Sequence, residues 1–265
     1  MAGKIWIVGA GPGAADLLTM RAVAILRAAE VVLHDDLVSA EVLALCPPSA
    51  QVINVGKRCG QRGRSQDEIN SLMIFHARQA RVVARLKSGD PAIFGRLGEE
   101  LDALRAAAID FEIVPGITAV AAAAAAAGLT LTDRRAASAL VFLTGHSADV
   151  QSLRRSAFDL NKSSYAVYMP GPDYEKTATE LMEMGIAPAT PCALIAHAGR
   201  SSQKIYFMTV GSLRQVSAIF TPAILIVGRV AAHDGRAEST RDCLRAELPR
   251  DLSAAALEAR NSIAP

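Results

Sequence analysis

Short runs of hydrophobic residues recur along most of the chain, separated by segments in which apolar positions repeat with helical spacing. Each run is long enough for one β-strand and is bounded by turn-forming residues. The segments between them have the pattern of amphipathic helices, as in Asp16–Ala29, Gln66–Gln79 and Tyr174–Met184. This alternation predicts an α/β fold with mainly parallel sheets.

The predicted strands form two groups of five. The first group consists of Ile5–Val8, Val31–His34, Val52–Val55, Val82–Leu86 and Glu112–Val114. The second group consists of Ala139–Leu143, Tyr165–Tyr168, Cys192–Ala196, Lys204–Met208 and Ala223–Val227. A polar, basic, turn-like segment lies between the groups. We therefore predict an N-terminal α/β domain over residues 1–134, a C-terminal α/β domain over 135–232 and a polar tail over 233–265 that forms a surface helix or is disordered.

Composition narrows the class of protein. The 265 residues carry a net charge of +2, which is too near balance to favour nucleic acid or an anionic membrane as a partner. The longest apolar stretch, Ile117 to Leu131, is mostly alanine and shorter than the roughly 20 residues of a membrane span, so it predicts a buried helix. The four cysteines and five histidines share no ligand spacing, so we expect reduced thiols, a cytoplasmic location and no metal.

A glycine-rich loop follows the first predicted strand. Residues Gly9–Ala14 fit the relaxed pattern G-x-G-x-x-G/A of dinucleotide-binding proteins, and acidic Glu30 and Asp35 follow about 20 positions later. A tight structural turn and an NAD-dependent dehydrogenase are both open interpretations. Pro12 counts against NAD, because it removes an N–H from a turn that normally donates such groups to pyrophosphate.

Further short motifs follow this loop in order. They are GAGPGAADLLT (9–19), HDDLV (34–38), GKR (56–58), QDEIN (66–70), RLKSGDP (85–91), FGR (94–96), GEE (98–100), PGIT (115–118) and YM (168–169). In order and spacing the series resembles the uroporphyrinogen-III C-methyltransferase branch of the tetrapyrrole (class III) methyltransferases, over about residues 3–230. The GKR and QDEIN motifs favour this branch over methylases of later precorrins.

The resemblance implies two α/β domains with the active site in the cleft between them, usually in a homodimer. It implies S-adenosylmethionine as methyl donor, S-adenosylhomocysteine as product, and uroporphyrinogen III as a substrate methylated at C2 and C7 to give precorrin-2 for sirohaem or cobalamin. The cofactor contacts that it implies are Pro12, Ser88, Gly89, Asp90, Ile93, Thr118, Ala119, Met169 and Ala198. Ala14, Ser88 and Ala198 depart from the residues common in the family.

The same resemblance places the acid/base positions of the family at Asp35 and Lys57, and a substrate-handling arginine at Arg85. From the residues alone, the favoured interpretation of Asp35 is an N-cap for the helix that starts near Ser39 or a solvated loop acid. Arg85 lies inside an apolar strand and needs a partner, either a substrate carboxylate or a structural salt bridge.

A substrate rich in acetate and propionate groups calls for a cationic site. Residues 57–64 contain four basic side chains and no acid, and could form a lid that binds carboxylates; an ordinary exposed basic loop is the alternative. We predict Arg58, Arg62 and Lys87 as substrate-binding residues. Two predicted cofactor residues also have simpler interpretations: Asp90 as a turn aspartate, and Met169 as core filling.

Two other functions remain open at this stage. One is methylation of another precorrin or another macrocycle carbon. The other is a non-enzymatic tetrapyrrole-binding protein that uses the basic loop.

Overall fold

The computed structural model describes residues 3–56, 64–79, 81–145, 162–171, 173–216 and 220–232. One five-stranded sheet is built from β1 (Ile5–Gly9), β2 (Val31–His34), β3 (Gln51–Asn54), β4 (Val83–Lys87) and β5 (Phe111–Val114). The other is built from β6 (Ala139–Thr144), β7 (Ser163–Tyr168), β8 (Pro191–Ala196), β9 (Lys204–Thr209) and β10 (Ala223–Val227). The helices in the described residues are α1 (Met20–Ala28), α2 (Ala40–Leu43), α3 (Gln66–Ala77), α4 (Leu97–Ala106), α5 (Ala119–Ala127) and α6 (Tyr174–Glu183).

The first sheet has the strand order β3-β2-β4-β1-β5, and every pair in it is parallel. Helices α1 and α2 cover one face through Leu26 and Val42, and α3 and α4 cover the other through Met73 and Leu104. Because its strands run in one direction, their carboxyl ends meet at one edge, with β4 in the middle. Ligands of open α/β sheets bind at this edge.

Local capping explains where the helices begin. The Thr19 hydroxyl accepts a hydrogen bond from the Ala22 N–H, so α1 starts at Met20, later than the predicted Asp16. Helix α3 starts at the predicted residue, because Ser65 and Glu68 form a capping box.

The second sheet has the order β6-β7-β10-β8-β9. Only β6 and β7 are parallel there, and the other three pairs are antiparallel. Five of the eight strand pairs in the two sheets are parallel, so the protein is mainly parallel as predicted, but the second sheet is mixed. The connection from β8 to β9 spans only residues 197–203, which is too short for a parallel crossover.

Helix α5 packs on the second sheet, although it precedes the predicted domain boundary at residue 134. Val120 and Ala123 share one core with Ala193 of β8 and Ile226 of β10. Alanine side chains allow a helix to lie close to a sheet, which accounts for the alanine-rich sequence. The apolar stretch forms a helix as predicted, but only the face towards the second sheet is buried, and Ala121 and Ala125 are exposed. The boundary itself stays a prediction, and the tail 233–265 lies outside the described residues.

Across the described ranges, none of the helices combines the length and the apolar character needed to cross a bilayer.

Candidate active site

A cavity of about 200 Å³ opens between the two sheets. Both halves of the chain line it. The lining residues are Gly11, Pro12, Asp35, Leu37, Lys87, Ser88, Gly89, Asp90, Ile93, Phe94, Gly95, Thr118, Ala119, Tyr168, Met169, Ile195, Ala198, Arg200, Pro222, Ala223 and Ile224. A concave site lined mainly by apolar residues with a few polar groups is typical of small-molecule binding.

Loops that follow β1, β4 and β5 interlock through their main chains. Gly11 and Gly89 exchange two backbone hydrogen bonds, of 3.2 and 2.8 Å. A Cβ atom on Gly9 would lie 2.5 Å from the Gly116 nitrogen, and one on Gly116 would lie 2.3 Å from the Gly89 carbonyl oxygen. Glycine is therefore required at positions 9 and 116 so that three strand ends can meet.

Gly89 differs from those two glycines. A Cβ atom there would approach only the Ala119 nitrogen, at 3.8 Å, and the residue has a φ of +69°. The position is thus open towards the cavity, and its backbone conformation also favours glycine.

Asp90 ties two of these loops together. Its Oδ1 accepts the Ala92 N–H at 2.8 Å and its Oδ2 accepts the Gly116 N–H at 3.0 Å. The carboxylate therefore forms the turn hydrogen bond expected of a turn aspartate, and it also lines the cavity.

The second sheet contributes the carboxyl ends of β7 and β8 together with the beginning of β10. These ends coincide because β10 runs antiparallel to both neighbours. Met169 follows β7 with a φ of 49° and is 46% exposed, so it is not a core-filling methionine. A non-glycine residue in this conformation is held there by its surroundings, a situation that recurs at ligand sites.

Tyr168 joins the two halves of the cavity. Its hydroxyl group forms a 2.5 Å hydrogen bond with the Thr118 hydroxyl group, and its ring contacts Phe94 and Phe142 with centroids 5.1 and 5.6 Å away. Burial raises the pKa of Tyr168 above its ordinary value, against the opposing hydrogen bond from Thr118. The phenol is therefore protonated at neutral pH and acts as a hydrogen-bonding group.

Arg200 makes a second link across the cavity. Its Nη2 donates to the Leu37 carbonyl oxygen at 2.6 Å, and its Nε donates to the Pro12 carbonyl oxygen at 3.4 Å. Gly199 precedes it with a φ of +72°, and a Cβ there would lie 2.9 Å from Pro12 Cγ. The β8–β9 connection thus packs directly on two loops of the first sheet.

A buried charge cluster, formed by Asp35, Arg85, Lys87 and Glu100, lies at the carboxyl ends of β2 and β4. Arg85 is 2% exposed; its Nη2 donates to Asp35 Oδ1 at 2.5 Å and its Nε donates to Glu100 Oε1 at 2.9 Å. Lys87 Nζ donates to the same Glu100 oxygen at 2.9 Å. The structural salt bridge anticipated for Arg85 is therefore present.

The cluster shifts the proton affinities of its cations in opposite directions. Burial alone would lower the pKa of Arg85, but the carboxylates of Asp35 and Glu100 outweigh burial and raise that pKa. Burial, followed by repulsion from Arg85, lowers the pKa of Lys87 despite attraction to Glu100 and Asp35. Asp35 and Lys87 both line the cavity, so the cluster connects the protein interior to the site.

All nine residues predicted as cofactor contacts line this one cavity. Of the predicted catalytic and substrate-binding residues, Asp35 and Lys87 line it, whereas Arg85 lies behind Asp35. Lys57, Arg58 and Arg62 lie outside the described residues.

Sequence reasoning missed several lining residues. Phe94 and Tyr168 belong to motifs that it quoted, so the motifs contained a usable signal. Pro222 and Arg200 had none, because their positions depend on the antiparallel order of the second sheet. In the part of the chain that the structure describes, no three His, Cys, Asp or Glu side chains are grouped to hold a metal ion.

Residues 4–214 match the family model of the Tetrapyrrole (Corrin/Porphyrin) Methylases. The chain therefore belongs to this family, and the dehydrogenase interpretation of the glycine loop is not retained.

Named relatives agree with this assignment. The chain is 43% identical to a uroporphyrinogen-III C-methyltransferase of Pseudomonas aeruginosa, over 87% of this chain and 95% of that protein. It also matches siroheme synthases, of which it spans about half the length: 48% for the one from Pectobacterium atrosepticum, at 41% identity over 86% of this chain.

Solved structures share the fold. The uroporphyrin-III C-methyltransferase of Thermus thermophilus, in complex with S-adenosylhomocysteine, has a TM-score of 0.74 and 33% identity over 86% of this chain and 98% of that one. A cobalt precorrin-4 methyltransferase has a TM-score of 0.76 and 30% identity over 87% and 96% of the two chains.

Proposed function

We propose that this protein transfers methyl groups from S-adenosylmethionine to C2 and C7 of uroporphyrinogen III, giving precorrin-2 for sirohaem or cobalamin. The observation that carries the proposal is the convergence of nine expected cofactor contacts on one cavity, beside Asp35 and Lys87. The relatives with this named activity add support, because the Pseudomonas aeruginosa and Thermus thermophilus proteins are covered over 95% and 98% of their lengths.

The composition of the cavity suits S-adenosylmethionine. Pro12, Ile93 and Ala198 offer apolar surface to an adenosyl group, and Thr118 and the main chain around Gly89 offer polar partners. Pro12 donates no N–H, which costs nothing for a ligand without phosphate. We therefore assign Pro12, Ser88, Gly89, Asp90, Ile93, Thr118, Ala119, Met169 and Ala198 to cofactor binding.

The bound cofactor would supply an activated methyl group, which leaves sulfur as a new carbon–carbon bond forms on the macrocycle. The task of the protein is then alignment of donor methyl and ring carbon in near-attack contact. The methylated ring must lose a proton from a bridging carbon, and we assign its acceptance to the Asp35 carboxylate. Asp35 lines the cavity and is held by Arg85, so its carboxylate has a fixed direction.

For Arg85 we propose a role that acts through Asp35, because its guanidinium group is buried and its donors are engaged by Glu100, Asp35 and two main-chain carbonyl groups. Lys87 lies at the cavity wall and is assigned to the substrate carboxylates, together with Arg58 and Arg62. The acid/base assignment of Lys57 is kept as part of the same proposal.

Anaerobic incubation with S-adenosylmethionine and uroporphyrinogen III tests the proposal. Mass spectrometry should record a gain of two methyl groups, with precorrin-2 as the final product. No transfer, while S-adenosylhomocysteine still binds in calorimetry, would contradict the substrate and keep the cofactor. Failure to bind S-adenosylhomocysteine would contradict both.

Methylation of another precorrin is the second candidate. Its support is the cobalt precorrin-4 methyltransferase, whose TM-score of 0.76 is slightly above the 0.74 of the uroporphyrin enzyme, so the fold alone does not discriminate between substrates. Parallel incubation with later precorrins separates the candidates, because only one substrate should give turnover.

We also propose that the protein is a cytoplasmic homodimer, as the family resemblance implies. Large apolar side chains remain exposed on the described surface, among them Phe75 of α3 and Val52 of the edge strand β3, and a second subunit would cover such groups. Light scattering after size-exclusion chromatography should give twice the chain mass; the mass of one chain would contradict the dimer.

A further inference from the structure

Glu100 is a charged side chain with no surface exposure. It lies in the first turn of α4, where the helix packs on the β2–β4 region of the first sheet, and its exposed fraction is 0%. An acid is favoured near a helix N-terminus, but full burial of a carboxylate needs charged or hydrogen-bonding partners.

The partners of Glu100 converge on a single oxygen. Oε1 accepts hydrogen bonds from Arg85 Nε and Lys87 Nζ, both at 2.9 Å, and lies 3.5 Å from Gln66 Nε2. Oε2 is buried and has no hydrogen-bond partner among the residues that the structure describes. One carboxylate oxygen thus holds two cations from alternate residues of β4.

These contacts fix the direction of Arg85. With Nε held by Glu100, Nη1 donates to the carbonyl oxygens of Leu33 and Leu86, at 3.3 and 3.2 Å. The remaining Nη2 then points to Asp35. The donors of the planar guanidinium group have a rigid fork geometry. The position of Glu100 therefore determines where Nη2 lies, and so the direction of the Asp35 carboxylate.

Lys87 is confined in the same way. Its Cε lies beneath Gly95, where an added Cβ would approach it to 3.1 Å, and its Nζ is held by Glu100. Both cations of the cluster are therefore oriented by one residue that does not itself line the cavity.

We propose that Glu100 is a positioning residue for methyl transfer: it orients Arg85 and Lys87, and through Arg85 it sets the direction of the Asp35 carboxylate. This rests on the proposed function, in which Asp35 accepts a proton from the methylated macrocycle.

A purely stabilising role explains the arrangement less well. Buried ion pairs are often no more stabilising than apolar residues of the same volume. A buried oxygen without a partner in the described ranges adds a further cost. The hydrogen-bond network also ends at the Asp35 carboxylate on the cavity wall, and the proposed acceptance of a proton there requires a fixed direction.

The test compares Glu100→Gln with Asp102→Asn. Both remove one negative charge from α4, but Asp102 is exposed, and its ion pair within the described residues is with Arg105 of the same helix. Glu100→Gln should lower kcat by roughly 10-fold to 100-fold, the cost of a misplaced reacting group. S-Adenosylhomocysteine affinity should change by less than about twofold, because its assigned contacts are separate from Glu100. Asp102→Asn should leave kcat unchanged.

A second readout needs no turnover. The ionisation of Lys87, followed by NMR of 13Cε-labelled lysines and assigned with Lys87→Met, should move to lower pH in Glu100→Gln, because the anion that favours the charged amine is gone. Asp102→Asn should not move it. If the wild-type protein fails to methylate uroporphyrinogen III, the proposed function fails, and this titration still shows whether Glu100 controls Lys87.

Glu100→Gln leaves two buried cations with one anion and could unfold. The double variant Glu100→Gln/Lys87→Met restores one cation to one anion, and its kcat should remain well below that of Lys87→Met alone, because Arg85 still lacks its charged anchor. Equal kcat in those two variants would overturn the proposal. So would a Glu100→Gln variant that is folded, binds S-adenosylhomocysteine and turns over like the wild type.

Discussion

The two halves of the cavity are built differently. The parallel first sheet presents strand ends with charged groups, namely Asp35, Lys87 and Asp90, backed by a buried charge cluster. The mixed second sheet presents mainly apolar surface, including Met169, Ile195 and Pro222 to Ile224. Uniform strand direction brings many loop ends to one edge and so concentrates polar groups there. A mixed sheet brings fewer carboxyl ends to one place, and it supplies contact surface in this protein.

The largest effect is expected from a substitution in the buried charge cluster of the first sheet. Arg85→Met keeps most of the side-chain volume but leaves Asp35 and Glu100 without their shared cation, so the free energy of unfolding should fall by about 3–5 kcal/mol. Urea unfolding at pH 7 measures this.

Arg105→Met is the control for that variant, because its ion pair with Asp102 is exposed and should contribute less than about 1 kcal/mol. Equal losses for the two variants would mean that the buried cluster adds nothing specific to the first sheet.

The next-largest effect is expected at Gly89, where it distinguishes a steric block of the ligand from backbone strain. Gly89→Val places a side chain where the cavity is open, so S-adenosylhomocysteine affinity should fall by about 100-fold or more, roughly 2.7 kcal/mol. Isothermal titration calorimetry measures the affinity.

Gly128→Val is a matched control, since Gly128 has a φ of +65° and no atoms within 4 Å of the added Cβ, but does not line the cavity. It should carry a similar strain and keep its affinity for S-adenosylhomocysteine. Loss of binding in both variants would point to misfolding instead.

A smaller effect is expected at Tyr168, where the two halves of the cavity meet. Tyr168→Phe removes the hydrogen bond to Thr118, worth about 0.5–1.5 kcal/mol, and should weaken S-adenosylhomocysteine binding correspondingly. Tyr174→Phe removes a hydrogen bond to the Phe220 carbonyl on the far side of the same sheet and should change only stability. If both variants bind the ligand as the wild type does, the Tyr168 hydroxyl has no part in the site.

The smallest effect at neutral pH concerns the core of the second sheet. Burial raises the pKa of the Cys192 thiol to about 12, from an ordinary value of 9.0. Iodoacetamide at pH 8 should therefore leave Cys192 unmodified in the native protein while it alkylates the half-buried Cys46, as peptide mass spectrometry would show.

The same thiol makes stability depend on pH. The native thiol stays protonated while the unfolded one ionises, so stability is intact below about pH 9 and falls by about 1.4 kcal/mol per unit towards pH 12. Cys192→Ala should lack this component of the alkaline loss, and an unchanged pH profile in that variant would contradict the assignment.

All ten predicted strands are present within two residues at each end. Hydrophobic runs identify the strands along the sequence, but they do not determine which strands become neighbours in a sheet. The antiparallel pairs of β10 with β7 and β8 depend on contacts between residues far apart in sequence. The short β8–β9 connection was a usable signal for one antiparallel pair.

The same distinction between local sequence signals and long-range packing applies to the residues of the site. Residues within motifs, such as Ser88 to Asp90, were predicted by resemblance and line the cavity. For Arg85, the need for a partner was deduced from an arginine in an apolar strand, but the choice between partners was left open. Glu100 was quoted only as part of a motif, because nothing in the local pattern says that a helix acid is buried against two strand cations.

The Arg200 contacts have a consequence for which substitutions the cavity tolerates. Both acceptors, at Pro12 and Leu37, are main-chain carbonyl groups, which every amino acid possesses. Replacement of either side chain therefore leaves the acceptor in place, whereas a single change at position 200 removes both links at once. Positions 12 and 37 in the loops of the first sheet can therefore vary in sequence without loss of these two hydrogen bonds. Position 200, in the second half of the chain, must keep its arginine to retain them.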